Sequence, residues 1–359
     1  MRLIGRNEGN FDNQWNDYIQ NHRLASVYHH TSFRNAVAAT YGHEPFYLIA
    51  LDEHGAARGV LPLFVIKRPL IGRELVSLPF CDYGGLLADC FDTGAALFRK
   101  AMELARELRC TQTQLRQTYP LTYLSDILRE FTPGKKVVLA EITSKVGMRL
   151  TFDGTPNDLF SSFPAKLRAQ IRKPMKQGYN SRVGGAELLK DFYSVFVRNM
   201  HYLGSPVHSV NLMKNVLLTY REKARLFVVY KGTIPVAGSM TIGFRDTLVN
   251  PWASFLREYR RDSPNMLLYW TMLEYAAING YSTFDFGRST RDESTYRFKE
   301  QWGAKPQSLH WYCAGVGNES IKQSDSQASL RKTFETMWQH LPMGVTAMLG
   351  PAVRKYISL

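Results

Sequence analysis

The chain has 359 residues, 45% of them hydrophobic and 13% aromatic, and a formal charge of +14 from 45 Lys and Arg against 31 Asp and Glu. So much apolar material builds a large core, and the length suits about two domains, which excludes a disordered or low-complexity chain. Four cysteines without a CxxC pair and nine histidines without HExxH spacing argue against a zinc or disulfide framework and read as reduced, metal-free core residues, while the charge favours an anionic partner such as tRNA, a phosphorylated carrier, coenzyme A or an anionic membrane face.

Met1 to Arg6 lacks the apolar run of a signal peptide, and no segment reaches the roughly 18 apolar residues of a membrane span. The expected location is therefore the cytoplasm, with a position peripheral to the inner membrane as a further option. Phe46 to Ile66 reads as a hairpin: an apolar strand over 46–51, a turn at Asp52 to Gly55, and a long strand through Gly59 to Ile66. Asp82 and Tyr83 then stand beside Gly84 and Gly85, glycines that suit either close backbone approach by a ligand or a tight turn. A helix over Ala95–Leu108 and a strand over Gln112–Arg116 complete this half.

From Asn157 to Gly178, Phe160, Phe163, Leu167, Ile171 and Met175 recur at helical spacing, with Pro174 placed to kink or end the helix. Lys166, Arg168, Arg172, Lys173 and Lys176 crowd the other faces with no acid between them. Phosphate binding and a merely soluble basic helix both fit that pattern. Aromatics interleave poorly with these charges, so base stacking is not indicated and no DNA partner is expected.

Leu226 to Phe244 repeats the hairpin of the first half, with a turn at Lys231-Gly232. Asn265 to Asn279 has a near-continuous apolar run and the length of a buried helix, preceded by Pro264 and followed by Gly280. Ser282 to Phe286 alternates as a strand, and Gly287 permits a sharp exit, so Asp285, Arg288 and Ser289 cluster at its carboxyl end, where ligands of α/β sheets gather. The two halves keep nearly the same pacing from hairpin to second strand, which points to two copies of one α/β unit.

The order helix, antiparallel hairpin, further strand, helix, strand is that of the GNAT acyltransferase fold, here doubled. The chain resembles the FemAB family of tandem GNAT proteins, whose members transfer amino acids from aminoacyl-tRNA to cell-wall precursors. The resemblance rests on Asn265-Met-Leu-Leu-Tyr-Trp270, Phe284-Asp-Phe-Gly287, Phe298-Lys299 with Trp302-Gly303, and Leu78 to Leu86 with its Tyr-Gly-Gly. Leu203-Gly-Ser-Pro206, Phe284 to Ser289 and the tail Trp338 to Pro351 resemble members linked to exosortase and exopolysaccharide loci. The resemblance implies an α/β fold of two GNAT-like domains, each a mixed, mostly antiparallel sheet flanked by helices: 1–147 completed by the tail 323–359, and 148–322 carrying the active cleft. Peptidoglycan-type members place an arginine after the helix matching Phe192 to Met200, where this chain has His201, Tyr202 and Leu203, which argues against lipid II as acceptor.

Acyl transfer to an amine needs a polarised carbonyl, an unprotonated nucleophile and a proton acceptor. No GxSxG elbow or Cys-His signature is present, so direct attack within a ternary complex is expected. Lys299, in the Phe-Lys signature, is the candidate cation for the developing negative charge, against a solvated surface lysine. Asp285 is the candidate proton acceptor, unless it pairs with Arg288 or caps backbone. Trp270 reads as core, while Tyr269 could turn its hydroxyl into the cleft. Asp82, Tyr83, Lys166, Arg168, Arg172, Tyr269, Arg288, Ser289, Tyr296 and Phe298 are the candidate substrate contacts.

The glycine-rich pyrophosphate loop of acetyl-CoA enzymes has no counterpart in Arg260-Arg-Asp-Ser-Pro-Asn265, nor are Walker or Rossmann glycines present. The expectation is therefore no resident cofactor, with an acyl donor as cosubstrate, aminoacyl-tRNA or acyl-CoA, and a cell-envelope or glycan precursor as acceptor. Acetylation of a sugar or small amine and a non-catalytic tRNA- or glycan-binding scaffold are the rival readings. In the tail, Val345, Leu349, Val353 and Ile357 share a helical side, suited to packing on the first domain or lying on an anionic membrane.

Overall fold

The computed structural model describes residues 2–4, 11–69, 72–131, 137–316 and 325–358. Its contacts divide the chain into a unit of Met1–Lys145, Ser308–Ala328 and Lys355–Leu359, and a second of Val146–Gln307 and Ser329–Arg354. The first unit contains β1 (Arg2–Ile4), α1 (Asp12–Asn21), α2 (Thr31–Tyr41), β2 (Glu44–Leu51), β3 (Ala57–Arg68), β4 (Gly72–Val76), β5 (Leu87–Ala88), α3 (Phe91–Glu107), β6 (Gln112–Gln117), α4 (Leu124–Phe131) and β7 (Val137–Ile142). The second contains β8 (Lys145–Thr151), α5 (Pro156–Ser162), α6 (Ala165–Lys176), β9 (Tyr179–Gly184), α7 (Leu189–Tyr202), α8 (Val210–Tyr220), β10 (Ala224–Lys231), β11 (Ile234–Phe244), β12 (Thr247–Phe255), α9 (Pro264–Ile278), β13 (Thr283–Thr290), α10 (Ser294–Glu300) and β14 (Lys305–Ser308). β15 (His310–Val316), α11 (Asp325–His340) and α12 (Met343–Arg354) follow.

Both expected hairpins form, as the antiparallel pairs β2–β3 and β10–β11. The first sheet runs β1-β2-β3-β4-β6-β15-β7 with β5 on β3, and the second β14-β8-β13-β12-β11-β10-β9. Each contains a parallel pair at the equivalent place. In the first, β4 meets β6 at Glu74↔Gln112 through Val76↔Gln114; in the second, β12 meets β13 at Thr247↔Thr283 through Val249↔Asp285. Antiparallel hairpins surround each parallel pair, whose crossover is the helix α3 or α9.

Apolar patterning explains the layers. α3 turns Ala95, Phe98, Ala101, Met102 and Ala105 onto Leu48, Leu61, Leu63 and Val65 of the first sheet. α9 is apolar nearly all round and correspondingly buried, with Met266, Trp270 and Leu273 against Val229, Ala237, Leu248, Phe284 and Phe286. The opposite face of the second sheet takes α7, whose Phe192 lies so close to Gly238 that an added Cβ would sit 3.1 Å from its ring.

Several expectations need correction. Phe160 and Phe163 do not share a continuous helix with Leu167 and Ile171, because Pro164 caps a fresh helix after the break at Ser162–Phe163. Pro174 is buried inside α6, which runs on to Lys176, and Met175 is exposed rather than in the core. Cys90 is exposed, so the cysteines are not all interior. β15 belongs to the first sheet, not to the 148–322 domain, since it fills the space between β6 and β7 with antiparallel ladders to both. The tail 323–359 does not return whole: Gln323 and Ser324 lie outside the described residues, Ser329–Arg354 packs with the second unit, and the last residues, from Lys355, rejoin the first.

The tail is held to the second unit by close backbone contacts. Gly204, at φ +67°, and Gly350 sit where a Cβ would lie 2.3 Å from the Glu335 carbonyl oxygen and 2.8 Å from Val207. Arg354 Nε donates to Nε2 of the buried His208 at 3.1 Å, and His201 Nδ1 meets Thr346 Oγ1 at 3.0 Å.

Gly204→Ala carries both the left-handed strain and this clash, whereas Gly42→Ala, also at φ +67° but in open space, carries the strain alone. Thermal unfolding will show Gly204→Ala as the more destabilising, by about 1–3 kcal/mol; equal shifts would contradict the packing. Burial, and then the Arg354 charge, hold the His208 pKa well below 6.5. The native imidazole is therefore neutral, and as pH falls below 6.5 the unfolded chain gains a proton that the native state refuses, so stability declines. His208→Gln should flatten that decline in urea midpoints between about pH 7 and 5.

Candidate active site

The site is built where β12 and β13 part. Their ladder ends at Val249↔Asp285, and the next residues of β12 are Asn250 and Pro251. Proline has no N–H for a ladder. On the other side Met240 pairs with Trp252 and Ile242 with Val249, so Asn250 and Pro251 together oppose the single residue Thr241. This is a β-bulge, and it bends β12 away from β13.

Polar side chains collect at the bend. Ser239 Oγ donates to Asn250 Oδ1 at 2.8 Å and to the Trp252 carbonyl at 3.0 Å. Asn250 Nδ2, Thr241 Oγ1 and, on β13, Ser289 Oγ are buried with no hydrogen-bond partner among the described residues. Each orphan of this kind costs about 1–3 kcal/mol unless something satisfies it. Tyr269 of α9 stacks on Phe286 (5.5 Å between centroids) and meets Phe298 edge-on (5.0 Å). Burial pushes its phenol up to about 12, with the neighbouring Asn250 amide acting against the shift. Trp270 is core, edge-on to Phe160 and Phe163.

The same point in the first unit is filled. Two residues beyond the last parallel pair stands Arg116, fully buried, whose Nη1 donates to the carbonyls of Leu78 (2.9 Å), Cys81 (2.8 Å) and Ser358 (3.1 Å). Its guanidinium thus bridges the diverging strands. The counterpart in the second unit is Gly287, which contributes no side chain.

Asp285 and Lys299 fix the β13 edge of the bend. Asp285 is fully buried; its Oδ2 accepts from Arg149 Nε of β8 at 2.9 Å, and its Oδ1 from the Gly287 amide at 2.8 Å. Arg149 is therefore an ion-pair partner of Asp285. Lys299 is not a solvated surface lysine: it is 7% exposed, and Nζ donates to the carbonyls of Gly287 (3.1 Å) and Arg288 (2.7 Å). Gly287 at φ +74° turns both carbonyls toward α10, a conformation that favours glycine. Tyr296 and Phe298 of α10 pack half-buried against the α9 core, Arg288 is half-buried, and Ser289 is buried.

The remaining candidates belong to other elements. Tyr83 is buried in the first unit, edge-on to Tyr28 at 5.3 Å, and the Asp82 carbonyl accepts from Trp311 Nε1 at 2.9 Å. The glycines beside them answer to packing, since a Cβ on Gly84 would lie 2.3 Å from Leu78 and on Gly85 2.6 Å from Gln117. On α6, Arg168 Nη1 donates to the Ser161 carbonyl at 3.0 Å, the Arg172 guanidinium lies 4.9 Å from the Phe160 ring centre, and Lys173 donates to the Arg261 carbonyl. Lys166 and Lys176 are exposed, and none of the five cations forms an ion pair with a carboxylate among the described residues. Just before α9, Tyr179 donates to Asp262 at 2.6 Å and Lys231 pairs with Asp262 at 3.3 Å, and Pro264 removes one of the helix's free N–H groups. Sequence reading missed Arg149, Thr241, Ser239 and Asn250; the Asn250-Pro251 step inside a strand was the available signal.

Among the described residues no cluster of His, Cys, Asp or Glu could hold a metal ion, and no helix is long and apolar enough to cross a membrane. Residues 161–300 match the family model described as acetyltransferase (GNAT) domain. No curated protein matches the chain. Among solved structures, FemX is similar over 93% of this chain and 100% of its own, at 15% identity and a TM-score of 0.68. A tandem GNAT protein from the clavulanic acid biosynthesis pathway covers 89% of this chain and 100% of its own, at 14% identity and TM-score 0.58. The C-terminal domain of a putative lysylphosphatidylglycerol synthetase from Agrobacterium fabrum covers 91% and 96%, at 12% identity and TM-score 0.55. The chain thus carries an acetyltransferase (GNAT) domain at 161–300, repeats its plan in the first unit, and shares its fold with FemX and a tandem GNAT protein.

Proposed function

We propose that the second unit transfers an acyl or aminoacyl group from acyl-CoA or aminoacyl-tRNA to an amine of a cell-envelope or exopolysaccharide precursor, by direct attack within a ternary complex. The observation that carries this reading is the bulge at Asn250-Pro251, which leaves the Asn250 amide and Thr241 hydroxyl buried and unsatisfied where β12 and β13 part. An acyl group seated there would satisfy them, and a polar aminoacyl group would do so more fully than an acetyl methyl. The first unit offers no such vacancy, because Arg116 already occupies the divergence.

The new C–N bond forms as the donor's ester or thioester bond breaks, and the amine proton leaves with the donor's oxygen or sulfur or through the substrate. Lys299 is the cation for the developing negative charge; its two carbonyl contacts hold the ammonium in a set position, so little reorganisation accompanies the reaction. Asp285 orients Arg149 and the Gly287 turn in this reading, since both its oxygens are engaged. The unneutralised cations Lys166, Arg172 and Lys176 suit a phosphate-bearing donor or carrier. A cytoplasmic protein, peripheral to the inner membrane, would meet such a precursor.

The test is turnover with labelled acetyl-CoA and, separately, charged tRNA, in the presence of lipid-linked glycan extract. Lys299→Ala should lower kcat by about 10²–10³-fold, and Lys299→Arg, which keeps charge, should recover part of it; full turnover in Lys299→Ala would overturn the assignment. Replacing Lys166, Arg172 and Lys176 together by Gln should raise the donor's KM with kcat nearly unchanged and flatten the salt dependence of KM. An unchanged salt slope would assign those residues to solubility alone.

A further inference from the structure

We propose that α12 and the turn before it are a docking surface for an anionic lipid bilayer. This helix has its faces reversed. Its buried side carries Thr346 and Gly350, which sit on His201 and Val207, while Met343, Met348 and Leu349 face outward, Met348 with 72% of its surface exposed. From Leu341 to Val353 the sequence holds no charged residue. Leu341 and Pro342 at the turn are exposed too, and Met337 and Phe334 extend the apolar surface along α11. A soluble helix ordinarily turns such residues inward and its polar ones outward. Here the reversal is forced, because only a glycine fits against Val207.

Charge selects the occupant. Residues 332–354 carry Lys332 and Arg354 against the single acid Glu335, in a chain of formal charge +14. Arg257 adds a further cation beside α11: its guanidinium lies 3.5 Å from the centre of the Tyr202 ring, and the Tyr202 carbonyl accepts from Gln339 of α11 at 2.8 Å. An apolar strip with a basic border is the pattern of helices that lie in the headgroup region of anionic membranes. A second copy of the chain fits less well. The strip exposes on the order of a few hundred Å², below the roughly 800 Å² per partner of a stable interface, and two copies would bring like charges together.

The inference does not depend on which acyl donor the enzyme uses, and it is read without turnover. The full chain is centrifuged with vesicles of phosphatidylcholine alone or with one third phosphatidylglycerol. It should sediment with the anionic vesicles, release as salt is raised, and remain in solution with the neutral ones. Met348→Asp with Leu349→Asp should lower partitioning at least tenfold while leaving the thermal midpoint unchanged, both side chains being exposed. Met348→Leu should keep wild-type binding and guards against a general effect of substitution. Wild-type protein that ignores anionic vesicles, or a double variant that binds them as well as wild type, would overturn the proposal; so would light scattering that shows a dimer abolished by the double variant.

Discussion

A backbone that cannot continue its ladder governs the second unit. β12 and β13 share three register pairs and then reach Asn250-Pro251, where the missing proline N–H and the bulge opposite Thr241 force the strands apart. Backbone groups that lose a strand partner need another. On the β13 side that need is met by the Asp285 carboxylate at the Gly287 amide and by the Lys299 ammonium at the carbonyls of Gly287 and Arg288. The residues closest to a family signature are thus the ones that keep the opening open.

The two units show what one plan does with this opening. In the first, Arg116 crosses the divergence and binds carbonyls on the far side, including that of Ser358 near the chain's end. In the second, a glycine stands at the matching position and the surrounding hydroxyl and amide groups are left unmatched. The two sheets follow one plan, and at this point Arg116 in one stands where Gly287 stands in the other.

Charge is used differently in depth and at the surface. Asp285 is paired inside the fold with Arg149, and the Lys299 ammonium is held by two backbone carbonyls. Lys166, Arg172 and Lys176 of α6 form no ion pair with a carboxylate among the described residues, which keeps their field available to an anion. The net charge of the chain says nothing about this partition; burial decides it.

The doubling of the fold, both hairpins, the buried helix α9 and the strand carrying Asp285 were legible in the sequence, because periodicity and turn residues act over a few positions. Lys299 was legible as part of a signature, although its burial was not. Residue spacing could not reveal that Asp285 pairs with Arg149, which is remote in sequence, or that β15 lies between β6 and β7. Nor could it show that the tail packs mainly with the second unit, since Leu349 looks like a core residue until Gly350 is seen against Val207. Local pattern determined which segments become helix or strand; only the tertiary structure decided which side chains meet, because ion pairs, close glycine contacts and unmatched polar atoms depend on distances across the fold that the order of residues does not encode.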